Sequence, residues 1–148
     1  MEDFIYACIQ LMHNVGAAAV VGSPAVAWWL SSSSPADEVI ANRSAWTQSI
    51  LHKLAWLTIF AWSIQIASGA GFGATTYYLK HEFPDLTGVG FTALVIKVSC
   101  AFICLVLTIF YLIKSSRWSI HTQTRAWQTL FSLGFLALMC AAFLRWYG

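Results

Sequence analysis

The sequence predicts an all-α integral membrane protein, a bundle of four transmembrane helices with both termini on the outer, periplasmic side. Four apolar runs, each long enough to cross a bilayer, take up most of the 148 residues. Charged residues make up only 9% of the chain, whereas soluble domains carry about 25%. All but one of the basic residues fall between the runs or near their ends. No room is left for a water-soluble domain. The expectation is a single transmembrane domain over residues 1–148, with spans at about 4–30, 49–71, 90–113 and 126–146.

The first span carries Met12-His13-Asn14, then small residues from Gly16 to Ala19 and Gly22-Ser23-Pro24, and closes on Trp28-Trp29. Small residues let a neighbouring helix come close. Pro24 is expected to kink the last turns, with Ser23 or a neighbour re-satisfying the freed carbonyl. The tryptophan pair suits an interfacial aromatic belt. The acidic start, Met1-Glu2-Asp3-Phe4, and the long apolar stretch behind it do not fit a signal peptide, so the first span is expected to be retained.

Ser31 to Ser34 with Pro35, Asp37 and Glu38 reads as a loop handing over to a helix start. Span two opens with His52-Lys53, carries Trp56, Trp62 and Gln65, and ends in a glycine-rich stretch. Its Gly69-to-Gly73 spacing suits either a close helix contact or a plain helix end. Phe72 to Leu86 reads as an interfacial segment, an irregular connection or a short helix lying on the membrane surface, ended by Pro84. Lys114 to Arg125 reads as a second, basic connection holding His121. Span four carries Met139-Cys140.

Orientation follows from basic residues. Arg43, Lys53, Lys114, Arg117 and Arg125 mark one face, while Lys80 and Arg145 alone mark the other. The five-residue face is expected inside, placing the chain in the bacterial inner (cytoplasmic) membrane as a multi-pass protein.

The exception among the basic residues is Lys97, in the first half of the third span. A cation within lipid costs a few kcal/mol on insertion scales and by default marks a functional site. Its helical stripe holds Cys100, Ala101 and Cys104. The plain alternative is snorkelling to the interface. At a rise of about 1.5 Å per residue, His13 in span one and Lys97 come to similar depth. Trp62, Gln65, Met139 and Cys140 fall near the same level. His13, Lys97 and Gln65 are therefore the candidate cofactor-binding residues. One reading is a haem b with His13 as its one axial ligand and Lys97 pairing a propionate. Another is a copper site drawing on His13 with Met12, Met139, Cys140 or Cys8. In the third, His13 bonds a carbonyl across the helix interface and Lys97 snorkels. His52 and His13 differ too much in depth to share an iron; His52 and His121 gather nearer the inner face.

Other chemistry is missing from the sequence. It holds no phosphate loop, GxSxG, HExxH or CxxC, no basic cluster of nucleic-acid-binding type, and no carboxylate pair within a span. The four cysteines lie inside apolar runs and do not form a secreted disulfide framework.

The order of features resembles two related families of small four-helix membrane proteins, the copper-resistance protein D family and the multi-pass, haem-binding protoporphyrinogen IX oxidases. The resemblance rests on His13-Asn14-Val15-Gly16-Ala17, on His52-Lys53 opening the second span and Ser68-Gly69 closing it, and on Leu94-Val95-Ile96-Lys97 in the third. It implies His13 as a haem or metal ligand and Lys97 as its functional partner. At the close of span three the chain departs from the oxidase pattern, reading Phe110-Tyr111-Leu112-Ile113 where that pattern has a histidine.

The resulting expectation is a membrane protein with an intramembrane haem b or copper site, acting in redox, electron transfer or copper handling. The rival expectation is a non-catalytic accessory subunit packing against a larger membrane complex. Eight tryptophans and small-residue helix faces suit that rival. Expected partners are the lipid bilayer and other membrane subunits or further copies of the chain, with no nucleic acid. A transporter is disfavoured because no paired repeat or pair of broken helices is present.

Overall fold

The computed structural model describes residues 2–33, 45–80 and 88–147. Among these residues the chain forms four long helices: α1 over Glu2–Ser32, α2 over Ala45–Lys80, α3 over Val89–Lys114 and α4 over Ile120–Tyr147. A single 3-10 turn, Ser115–Arg117, joins α3 towards α4. Each helix is long and apolar enough to cross a membrane, over Phe4–Ser32, Ala45–Thr75, Val89–Arg117 and Ile120–Leu144. The chain is thus an all-helical, multi-pass membrane protein. Its outer surface agrees: Phe4, Trp29 and Phe102 are each about two-thirds exposed or more, which water would penalise and lipid does not.

Side-chain pairings show the helices running antiparallel. Between α1 and α2, His13 meets Ser68, Gly16 meets Gln65 and Ser23 meets Thr58, one number rising as the other falls. Between α1 and α4, Val20 lies against Gly134, Trp28 stacks on Phe131, and Thr124 donates to the Ser31 carbonyl. α1 therefore packs between α2 and α4, and α3 packs chiefly on α4; of the four neighbouring helix pairs, α2 and α3 touch least.

Lipid tails are as apolar as leucine, so close backbone approach and interhelical hydrogen bonds must hold such a bundle together. Both are present. Ser23 Oγ and Thr58 Oγ1 lie 2.8 Å apart in a buried bond between α1 and α2. A Cβ added at Gly134 would stand 2.9 Å from the Val20 carbonyl oxygen, so only glycine lets α4 come this near α1. Pro24 lacks an N–H and cannot serve the carbonyl four residues back, which is that of Val20. The carbonyl released by the proline is the one that Gly134 approaches, a geometry suited to a weak Cα–H···O contact. Ser23 does not bond this carbonyl as expected; its hydroxyl donates to Ala19 O at 2.7 Å. α1 remains assigned as one helix through Pro24.

Two expected connections belong to the long helices instead. Residues 72–80 continue α2 without interruption, because Thr75 back-bonds to the Gly71 carbonyl and nothing up to Lys80 breaks the helix. The remainder of that connection, 81–87, lies outside the described residues, as does the expected capping stretch 35–38. α4 begins at Ile120, earlier than the expected Ala126: Ser119 Oγ accepts the Thr122 N–H at 3.2 Å and caps the helix. His121 therefore sits in the first turn of α4 rather than in a loop. Before α3, Gly88 takes φ 58°, a left-handed conformation that favours glycine.

The two ends of the bundle differ in packing. At the end where α3 passes to α4, Tyr111 meets Trp127 edge-on at 4.8 Å between ring centroids, and Gln123 Nε2 donates to the Ser115 carbonyl at 2.9 Å. Tyr111, Trp127 and Leu130 are essentially inaccessible there. Towards the other end the helices part, and cavities open around His13 and Lys97.

Candidate functional site

The expected stripe of α3 faces inward. Ala93, Cys100, Ala101, Cys104, Thr108 and Tyr111 are buried at helical spacing, and Lys97 lies on the same face, half-buried. Lys97 lines two adjoining cavities rather than the outer surface. One, of about 280 Å³, sits between α1 and α4; the other, of about 860 Å³, opens in the gap between α2 and α3. His13, Trp62, Gln65 and Lys97 line both. The three residues expected to bind a cofactor thus come together on one space. The larger cavity falls within the usual range of small-molecule sites, about 300–1,000 Å³, and its remaining walls are mostly apolar, among them Phe72, Leu94 and Ala101.

His13 is held from two sides. Its Nδ1 lies 2.9 Å from Ser68 Oγ, and the Phe72 ring meets it edge-on with centroids 5.6 Å apart. Gln65 Nε2 also donates to the His13 carbonyl, which ties the backbone of α1 to α2 at the same level. The same hydroxyl lies 2.7 Å from the Ile64 carbonyl and 3.2 Å from the Gln65 carbonyl. In the arrangement where its single hydrogen goes to Ile64, Ser68 accepts from His13 Nδ1–H and Nε2 carries the lone pair, as in a histidine oriented as a ligand by its outer bond.

Trp62 adds a second unusual feature. It is 2% exposed, and its indole Nε1 has no hydrogen-bond partner among the described residues. A buried donor left unmade costs about 1–3 kcal/mol, and this one belongs to a residue that lines both cavities. Lys97 likewise has no described carboxylate partner. All six acidic residues stand at the chain start or within 34–44 and 81–87, outside the described side chains. The site therefore offers an imidazole and a cation to whatever enters it.

The expected soft-metal donors do not join this group. Met12 and Met139 are about half exposed on the outer surface, and Cys8 is exposed. Cys140 is buried but lines neither cavity. Among the described residues no three His, Cys, Asp or Glu side chains gather in a group able to hold a metal ion. His52 and His121 are both exposed, and His52 Nε2 accepts a bond from Trp56 on its own helix at 3.3 Å.

Ser68 and Trp62 were not expected to take part in the site. Ser68 lies one helical turn beyond Gln65 and so shares its face, a spacing that, once His13 and Gln65 are paired, would have pointed to it. Nothing in the sequence separates the unpaired Trp62 indole from the other tryptophans. Compared with protein-family models, with curated proteins and with solved structures, the chain matches none.

Proposed function

We propose that this multi-pass membrane protein holds a haem b in the α2–α3 gap, with His13 as its single protein axial ligand, and serves redox or electron transfer. The observation that carries the reading is the Ser68–His13 bond, which engages the imidazole through Nδ1 beside a cavity shared with Lys97. The donor set fits the group. The imidazole suits an iron, the Lys97 ammonium suits a propionate, and the apolar walls suit a porphyrin face. When bound, haem supplies one-electron chemistry whose potential depends on axial ligation and burial. The chain's own residues orient the imidazole through Ser68, place a cation at the opposite wall and exclude water with Phe72 and Leu94. Copper is the weaker choice, because Met12, Met139, Cys140 and Cys8 line neither cavity. The resemblance to copper-resistance protein D and the haem-binding oxidases adds to the haem reading, at His13 and Lys97.

The basic ends of α2, α3 and α4 are placed on the cytoplasmic side of a bacterial inner membrane by the positive-inside rule, with both termini opposite. An accessory-subunit reading is favoured by one observation: large side chains such as Trp29, Trp56 and Phe102 stand well exposed on the outer surface, which suits a helix of another chain as well as lipid. An absorption spectrum with metal analysis of the detergent-solubilised protein separates the two. A Soret band that disappears in His13→Ala supports the haem site. A colourless, metal-free protein that co-migrates with a large complex supports the accessory role.

A further inference from the structure

A third cavity, of about 730 Å³, lies at the opposite end of the bundle, where the start of α2 meets the end of α3. Gln48, Ser49, His52, Lys53, Ser115 and Ser116 line it, with Tyr111 and Leu112 forming an apolar wall. Among the described residues its charge is of one sign. Lys53 lines the groove, exposed Lys114 and Arg117 flank the two serines in the chain, and no described acidic side chain offsets them. The ends of α2 and α3 that meet here have dipoles of opposite sign and largely cancel, so the attraction comes from the side chains. The level is that of a membrane interface: Trp46 is two-thirds exposed one residue into α2, and Ile113 equally so at the end of α3.

We propose that this groove binds the phosphate of an anionic phospholipid. Lys53 supplies the charge, Ser49, Ser115 and Ser116 supply hydroxyl donors, and the acyl chains follow the gap between α2 and α3. Phosphate esters also exist free in solution, but a groove at headgroup level with an apolar wall of Tyr111 and Leu112 suits a lipid. The site is separate from the His13 cavity and stands whether or not haem binds there.

Native mass spectrometry of the intact protein in neutral detergent, titrated with phosphatidylglycerol and with phosphatidylcholine, tests it. Phosphatidylglycerol is expected to bind at least about five-fold more tightly, the worth of one lysine near an anionic headgroup. Lys53→Gln is expected to remove that preference, Lys53→Arg to keep most of it, and Ser115→Ala with Ser116→Ala to weaken it. Arg125→Gln removes an exposed charge at the same end of the bundle without touching the groove, and is expected to change nothing. Equal binding of the two lipids overturns the proposal. So does an equal loss in Lys53→Gln and Arg125→Gln, which indicates diffuse surface attraction. Displacement of the lipid by millimolar inorganic phosphate overturns the lipid assignment in favour of a soluble phosphate.

Discussion

Ser68 Oγ stands 2.9 Å from His13 Nδ1, joining α2 to α1 through one nitrogen of the imidazole. The serine is itself held by the Ile64 carbonyl, so the histidine is oriented by a chain of two bonds rather than by packing alone. Loss of such an outer partner typically costs 10–100-fold in ligand affinity. Ser68→Ala is therefore expected to weaken haem binding by about that factor while the bundle keeps its helicity. Haem titration with circular dichroism checks both halves, and unchanged affinity would show that the serine does not orient the ring.

Lys97 should separate stability from function. A cation among apolar helices without a described carboxylate partner costs a few kcal/mol. Lys97→Met removes that cost while keeping the length of the side chain. Thermal unfolding in detergent is expected to show equal or greater stability for the apo protein, and affinity for a ligand bearing carboxylates is expected to fall. A variant that unfolds readily would mark Lys97 as a structural tie.

The approach of Gly134 to the Val20 carbonyl predicts a sharp contrast between two glycines. Gly134→Ala puts a methyl group 2.9 Å from a backbone oxygen that cannot swing aside, and overpacking of this kind costs about 1–3 kcal/mol. At Gly69 an added Cβ meets nothing, so Gly69→Ala should be neutral, or stabilising by up to about 1 kcal/mol through helix propensity. Unfolding of the two variants side by side checks the pair.

The buried Ser23–Thr58 bond should couple weakly. Hydrogen bonds between membrane helices average about 0.6 kcal/mol in double-mutant cycles, because the unfolded chain also finds partners. A cycle of Ser23→Ala and Thr58→Val is expected near that figure. Both hydroxyls also bond to carbonyls of their own helices, Ala19 O and Leu54 O, which limits what each gives the other.

The helices were legible in the sequence because the four apolar runs leave few other structures open to a membrane chain. The inward stripe of α3 was legible as well: Lys97, Cys100, Ala101 and Cys104 repeat at helical spacing, and all face the interior. Ends were harder to read. Residues 72–80 and 120–125 look like connections by their glycines, aromatic residues and charges, yet helices continue through them, because hydroxyl side chains bond to nearby backbone groups and a polar helix is stable at an interface. Depth matching placed His13, Gln65 and Lys97 on one cavity. It also gathered Met139 and Cys140 at the same level; Cys140 is buried there while Met139 turns outward, since depth says nothing about which way a side chain on a helix turns. The Gly69–Gly73 spacing suggested a close helix contact, but the close approaches within this chain fall at Gly16 and Gly134.

The haem reading is tested most directly by titrating haem into the apo protein and following the Soret band in wild type, in His13→Ala, and in His13→Ala with added imidazole. Saturable binding to wild type, loss in the variant and recovery of the spectrum with imidazole are the predicted results. A folded wild-type protein that takes up no haem, or a His13→Ala variant with an unchanged spectrum, would contradict the assignment of His13 as the ligand.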